Sequence, residues 1–300
     1  YSLSKLTRSV LVDIELRLKN AGVPSPRFDA ESLVAFSLGV ERNRIGLLKE
    51  ITDEQYREIE KLVEKRVRRI PLQHLVGEQG FRRLVLSVGP GVFIPRPETE
   101  LLVESVVRYL LDQKNERHTI IDLCAGSGAI SLAVATEVKN CDVYAIEKSS
   151  AAFDYLIKNI DKSQEKLNEQ NSKVIAINKS IEEEINELES LREKVDAVIS
   201  NPPYIPNKMV PREPEVKDHE PEIALFGGKD GLDVVKVVID IAKNLLKPGG
   251  FVGIEHADVQ GSSTQDTGVP YLLIESASFQ KIEDRRDLNG LPRYSVAIKS

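Results

Sequence analysis

Along the first 70 residues, apolar side chains return every three or four positions. Leu6, Val10, Leu11, Ile14 and Leu18 share one side of a helix, and Tyr56, Ile59, Leu62, Val63 and Val67 share one side of another. Between them, Ser25-Pro26 reads as an N-cap followed by proline at the first helical position. It opens a run carrying Ala30, Leu33, Val34 and Phe36, and Asp53 reads as the cap of the third long helix. Residues 1–74 are therefore expected to form a small helical domain. Residues 75–95 then change period. Leu84, Leu86 and Val88 alternate with Val85 and Ser87 before Gly89-Pro90-Gly91 turns the chain, which predicts a β-hairpin joining two domains.

From residue 118 the pattern becomes strand, helix, strand, helix. Strands are expected at 118–123, 142–147, 173–177, 195–200 and 250–255, and helices at 129–138, 149–160, 181–192 and 231–246. Continuous apolar strands separated by helices imply a parallel sheet covered on both faces. The last two strands, 279–283 and 294–299, have a loop but no helix between them, so one of them runs antiparallel. Residues 161–172 are polar and read as solvated. The expected fold is α/β: a doubly wound, mostly parallel seven-stranded sheet over 96–300, with the helical domain attached through the hairpin.

Composition narrows the class. Three hundred residues, 41% hydrophobic and 29% charged, suffice for about two domains with real cores. No apolar run approaches the ~20 residues of a membrane span, and the first residues lack a signal-peptide layout. Cys124 and Cys141 have no CxxC partner and histidines number four, so no metal site is expected and a reducing cytoplasm is. Residues 1–75 carry 14 Lys and Arg against 11 Asp and Glu, a balance of +3, and the remainder 27 against 36, a balance of −9. An acidic second half argues against tight non-specific binding to nucleic acid, which needs clustered cations.

Two motifs carry chemistry. The first follows the first strand of the α/β part: Asp122-Leu123-Cys124-Ala125-Gly126-Ser127-Gly128. Small residues there let backbone approach a ligand, and the helix that follows presents free N–H groups. The second strand ends in Glu147, placed to accept from both hydroxyls of a ribose. A dinucleotide fingerprint has a third glycine where this chain has Ser131. Asp122 suits a cationic ligand such as S-adenosylmethionine better than a pyrophosphate; the alternative is that it caps the turn.

The second motif, Asn201-Pro202-Pro203-Tyr204, leaves the fourth strand. Two prolines fix their own φ angles and restrict the residue before each to extended geometry. The Asn201 side-chain oxygen and the Pro202 carbonyl thus become two acceptors in a rigid frame, matched to one planar NH2 group, with Tyr204 as a flat stacking face. Such a frame fits methyl transfer to an amide or amino nitrogen, whose delocalised lone pair needs orienting. A proline-stiffened loop is the alternative.

At these residues the chain resembles class I S-adenosylmethionine-dependent methyltransferases with an (Asp/Asn)-Pro-Pro-(Tyr/Phe) motif. It is similar in particular to the HemK/PrmC-type glutamine N5-methyltransferases of peptide chain release factors. The likeness lies in PLQHLVGEQGF (71–81), VGPGVFIPRPETELLVE (88–104), IDLCAGSGAISLA (121–133), SNPPYIP (200–206), EPEIALFGGKDGLD (220–233) and DLNGLPRY (287–294). The resemblance implies S-adenosylmethionine as cofactor, S-adenosylhomocysteine as product and the glutamine of a Gly-Gly-Gln loop as acceptor. It implies cofactor contacts at Asp122, Cys124, Ala125, Gly126, Ser127, Gly128, Glu147, Ser180, Ile181 and Asn201. Acceptor contacts are implied at Phe93, Pro95, Arg96, Glu98, Asn201, Pro202, Pro203 and Tyr204, with Phe93 near the methyl group and Arg96 and Glu98 bracing the wall. The helical domain would grip the release factor, and the enzyme would act as a monomer without direct nucleic-acid or membrane contact. Three departures stand out: Cys124 where the family begins its loop with glycine, Lys179-Ser180-Ile181 near the adenine, and an irregular 262–270 that delays the helix after the fifth strand. An adenine-N6 methyltransferase of nucleic acid, and a glutamine methyltransferase of a ribosomal protein, stay open as alternatives.

Overall fold

The structure, a computed structural model, describes residues 4–205, 207–261 and 266–300. Two compact units divide the chain. One runs to Glu78 and takes in Pro211–His219; the other is Gln79–Val210 with Glu220–Ser300.

In the first unit, helices Thr7–Asn20, Pro26–Leu38 and Asp53–Val67 pack around Ile14, Leu18, Leu33, Ile59 and Val63, all buried. Their starts differ from expectation. Thr52, not Asp53, caps the third helix: its Oγ1 accepts from Gln55 N–H at 3.2 Å while the Gln55 side chain accepts from Thr52 N–H at 2.9 Å. That reciprocal pair satisfies two donors at once, which a lone Asp53 inside the first turn would not. Ser25 precedes Pro26 as expected but makes no side-chain capping bond. Leu6 lies in a short strand, Ser4–Leu6, paired with Glu50–Thr52, and is exposed rather than in the helical core. The late segment enters this unit through Glu215, in the short helix Pro214–His219. Its carboxylate accepts from Arg66 at 2.9 Å and from Arg69 at 2.6 and 2.9 Å, and Arg66 also donates to Asp29 at 2.7 Å.

In the second unit, seven strands form one sheet: β1 His118–Leu123, β2 Cys141–Ile146, β3 Lys173–Ile177, β4 Val195–Ser200, β5 Leu246–Glu255, β6 Phe279–Arg286 and β7 Pro292–Lys299. Their order is β6-β7-β5-β4-β1-β2-β3. Pairs β1–β2, β1–β4, β2–β3 and β4–β5 are parallel, and β7 runs antiparallel to both β5 and β6. The doubly wound, mostly parallel seven-stranded sheet read from the sequence is present. Because side chains alternate across a strand, Ile120 and Ile121 serve opposite faces. Ile120 packs with helices Thr99–Leu111 and Ala129–Glu137, and Ile121 with Asp233–Leu245 and Val269–Glu275. The chain crosses from one half of the sheet to the other between β1 and β4, the kind of place where ligands bind α/β sheets.

Three local expectations change. The hairpin strands are Glu78–Phe81 and Leu84–Ser87, and the tip is Arg82-Arg83, not Gly89-Pro90-Gly91. Arg82 holds φ at 50° and its guanidinium donates to Glu137 at 2.7 and 2.6 Å and to Glu104 at 2.8 Å, which pins the tip to two helices. Residues 161–172 are not simply solvated, because helix Gln164–Glu169 buries Leu167. Helix 181–192 shrinks to Asn186–Glu189. There Ser180 Oγ accepts from Glu182 N–H at 3.3 Å and the Ser180 N–H donates to Glu183 Oε1 at 3.2 Å. These local bonds compete with the helical ladder. Of the irregular stretch 262–270, residues 262–265 lie outside the described residues, and the helix that follows is Val269–Glu275.

Arg66 and Asp29 are 6% and 8% exposed at their side chains. Removing one member of a buried pair strands the other charge. Arg66→Met is expected to cost ~3–5 kcal/mol of stability, read as a lower urea midpoint at unchanged slope.

Candidate active site

The ends of four parallel strands converge on one cavity of about 430 Å³ in the second unit. Cys124 follows β1, Glu147 follows β2, Ser180 stands three residues past β3, and Asn201 follows β4. All four line the cavity, with Ala125, Gly126, Ser127, Ile181, Pro202, Pro203, Tyr204, Phe93 and Pro95. Four expected site residues do not reach its wall: Asp122, Gly128, Arg96 and Glu98.

Each of these four has a visible occupation. Asp122 is fully buried behind the loop, where its Oδ2 accepts from the Ser131 N–H at 3.1 Å and hydroxyl at 2.6 Å; among the described residues Oδ1 has no partner. Ser131, the residue in place of a third glycine, is thus the anchor of that carboxylate. Burial pushes the Asp122 carboxyl up to about 7. Gly128, at φ 88°, is the N-cap of helix Ala129–Glu137, where a Cβ would lie 2.7 Å from Leu156. Arg96 pairs with the buried Glu220 and stacks 4.9 Å from the Phe93 ring centroid, so it supports the wall from behind. Glu98 is the N-cap of helix Thr99–Leu111.

The loop after β1 is tied to the end of β2. Glu147 Oε2 accepts from Gly126 N–H and Oε1 from Ser149 N–H, both at 2.7 Å. Burial raises the Glu147 carboxyl and these backbone bonds oppose the rise. A carboxylate accepts up to about four bonds, so both oxygens retain capacity towards the cavity. Cys124 takes φ 64°, a left-handed geometry that suits the family's glycine better than a cysteine. Its thiol is pushed up by burial and does not ionise near neutral pH.

The Asn201–Tyr204 frame is gripped from outside. Ile205 N–H donates to Leu225 C=O at 2.8 Å, Gly227 N–H to Ile205 C=O at 2.9 Å, and Gln260 Nε2 to Tyr204 C=O at 2.8 Å. Backbone presses closely here. A Cβ on Gly227 would stand 2.3 Å from the Pro203 carbonyl oxygen, and one on Gly231 2.1 Å from that of Tyr204. Leu225, Gly227 and Gly231 of the 220–233 motif thus pack directly against the proline frame. Among the described residues, no protein donor reaches Asn201 Oδ1 or the Pro202 carbonyl.

Among the residues that sequence reasoning passed over are Thr99, in the cavity wall, and Glu255, buried behind it. Thr99, inside PRPETE, lines the cavity, and its hydroxyl donates to Glu255 at 2.6 Å. Glu255 is the last residue of β5 and is buried; burial pushes its carboxyl up to about 7. The signal was available, since GFVGIE ends an apolar strand in a glutamate just as DVYAIE does.

A glycine-turn loop, an acid ending the second strand and a rigid pair of acceptors sharing one cavity define a cofactor-dependent α/β domain of the doubly wound class. Comparisons with known proteins carry this further. A family profile described as PrmC N-terminal domain matches residues 9–77, and one described as Conserved hypothetical protein 95 matches residues 75–218. A release factor glutamine methyltransferase of Streptomyces coelicolor is 41% identical over 286 residues, covering 95% of each chain. One of Mycolicibacterium smegmatis is 40% identical over 282 residues, covering 94% of each. Among solved structures, M. jannaschii TYW2 in complex with AdoMet aligns at TM-score 0.43 and 18% identity, over 74% of this chain and 84% of its own. This chain belongs to the release factor glutamine methyltransferase family.

Two outcomes follow from this geometry. Gly227→Ala is expected to lower turnover at least tenfold by displacing the frame, with a smaller effect on cofactor affinity measured by calorimetry. The folded chain keeps a proton on Asp122 up to about pH 7, whereas the unfolded chain releases it near pH 4. Folding therefore takes up a proton in that window, and stability falls as pH rises from about 4 through about 7. Glu255 acts with the same sign. Melting temperatures of the cofactor-free protein should decline between pH 5 and 8, and Asp122→Asn should flatten the decline.

Proposed function

We propose that this protein transfers a methyl group from S-adenosylmethionine to the side-chain amide nitrogen, N5, of the Gly-Gly-Gln glutamine of a peptide chain release factor. The observation that carries this is the presence of Asn201 and Pro202 in the wall of the same cavity as Gly126 and Glu147. Family membership supports it, because the relatives are named for release factor glutamine methylation.

The residues fit the cofactor. Among the described residues, chain neighbours aside, nothing stands within 4 Å of where a Gly126 side chain would be, which leaves room for a ligand against the loop backbone. In this reading Glu147 takes the ribose hydroxyls, and Ser180 and Ile181 take the base; all three line the cavity. When bound, S-adenosylmethionine supplies an electrophilic methyl group on a sulfonium. The protein orients the acceptor. Asn201 Oδ1 and the Pro202 carbonyl accept the two amide N–H bonds and turn the nitrogen lone pair towards the cofactor loop. They also stabilise positive charge growing on that nitrogen. Orientation of this kind removes up to ~7–11 kcal/mol of barrier in favourable cases, and fixed dipoles add to it. Tyr204 offers its ring; its hydroxyl, pushed up by burial and by Glu255, is not a base. Phe93 and Pro95 close the acceptor side, with Arg96 behind Phe93.

The helical unit is assigned to gripping the release factor. The acidic second half disfavours a nucleic-acid substrate, and a monomer free of nucleic acid and membrane in the cytoplasm is the simplest setting. Among the described residues no helix is long and apolar enough to cross a membrane.

Mass spectrometry of release factor incubated with the enzyme and labelled cofactor should locate one added methyl on the Gly-Gly-Gln glutamine. A release factor with that glutamine replaced should stay unlabelled. Asn201→Ala should abolish transfer while still binding S-adenosylhomocysteine; unchanged turnover would remove Asn201 from its role.

A further inference from the structure

Two buried groups beside the frame are left without a task by the reaction just described. Thr99 begins the helix Thr99–Leu111 and Glu255 ends β5, at 3% and 1% exposure. Thr99 Oγ1 donates to Glu255 Oε2 at 2.6 Å, Tyr204 OH donates to Glu255 Oε1 at 3.3 Å, and Asn201 Nδ2 approaches Thr99 Oγ1 at 3.5 Å. A relay runs from carboxylate to hydroxyl to amide, and its polarity follows from proton counting.

A threonine hydroxyl has one proton and two lone pairs. An ionised carboxylate only accepts, so it takes that proton, and towards Asn201 the Thr99 oxygen can then only accept. The one group of Asn201 able to donate is its NH2, which leaves Oδ1 facing the cavity. An amide flip costs little in shape, since oxygen and nitrogen are nearly the same size, so packing alone does not choose between the two orientations. We propose that Thr99 and Glu255 are positioning residues that set the polarity of Asn201, so that it shows an acceptor rather than a donor to the substrate NH2. This rests on the reading of Asn201 as an amide acceptor, and it assigns a task to the threonine of PRPETE and to the glutamate closing β5. The 3.5 Å approach is long, and catalytic contacts commonly tighten when substrate is bound.

The relay has a consequence for pH. A protonated Glu255 donates to Thr99 instead of accepting, which frees the Thr99 proton for Asn201 Oδ1 and favours the wrong face of the amide. Burial raises the Glu255 carboxyl to about 7; Arg293 on β7 and the Tyr204 hydroxyl favour its charged form, and Glu98 at the helix start opposes it. The adjacent His256 is engaged with Ser295 at 2.9 Å and with Asp284 at 3.0 Å.

The test compares wild type, Thr99→Val and Thr99→Ser with release factor as substrate, from pH 5.5 to 9. Wild-type kcat should rise through about pH 7. Thr99→Val should lower kcat roughly tenfold or more at pH 8, with KM for release factor and affinity for S-adenosylhomocysteine within about twofold, and should lose the acid limb. Thr99→Ser should restore both the rate and the limb. Thermal melts of each variant report folding. If Thr99→Val keeps wild-type kcat, or loses rate but keeps the same acid limb, Thr99 is only a tie between helix and sheet and the inference is overturned. Wild-type enzyme that fails to methylate the glutamine, or Asn201→Ala that retains turnover, would instead remove the functional reading beneath it.

Discussion

The site depends on a stretch of backbone that cannot yield. Asn201-Pro202-Pro203-Tyr204 is stiff within itself because its prolines fix φ, and it is also clamped from without. The Ile205 bridge, the Gln260 amide and two glycines where a Cβ would collide with the Pro203 and Tyr204 carbonyls hold it from outside. Rigidity matters more here than in most loops. The proposed chemistry needs no strong base and no nucleophile from the protein, only two oxygens in fixed places. Residues outside the motif, such as Gly227 and Gly231, would therefore bear on that chemistry through the frame they pack against.

Buried acids are the second organising theme. Asp122, Glu147 and Glu255 all stand at the carboxyl ends of parallel strands, and burial raises each of them. A buried carboxyl is tolerated only where donors meet it. Ser131 meets Asp122, the Gly126 and Ser149 amides meet Glu147, and Thr99 and Tyr204 meet Glu255. Each acid thereby fixes a neighbour: Asp122 the start of helix Ala129–Glu137, Glu147 the loop after β1, Glu255 the hydroxyls of Thr99 and Tyr204. Placing Asp122 behind the loop also changes how it would act on a cationic ligand. From there it would act through the field of a buried, partly protonated group rather than by contact.

Much of this was legible in the sequence. Five apolar runs gave the parallel strands because a strand covered on both faces has little freedom in composition, and the last two strands were read from a loop with no helix between them. Glycines, prolines and an acid at strand ends marked the cavity because ligand chemistry at parallel sheets gathers there. What the sequence left unsaid has a common cause. The Thr52 cap, the Arg82 hairpin tip and the interrupted helix at 181–192 were decided by small sets of side-chain bonds that outcompete a periodic pattern. Thr99 and Glu255 stand 156 positions apart, and no local pattern records that one donates to the other. By itself the sequence determined the seven strands of the sheet, the long helices between them and the short motifs that line one cavity, since these follow from residue type and spacing. Only the tertiary structure decided which carboxylates face the cavity and which stand behind it, and which way a buried proton points. Those depend on the few donors that folding brings within 3 Å of each oxygen.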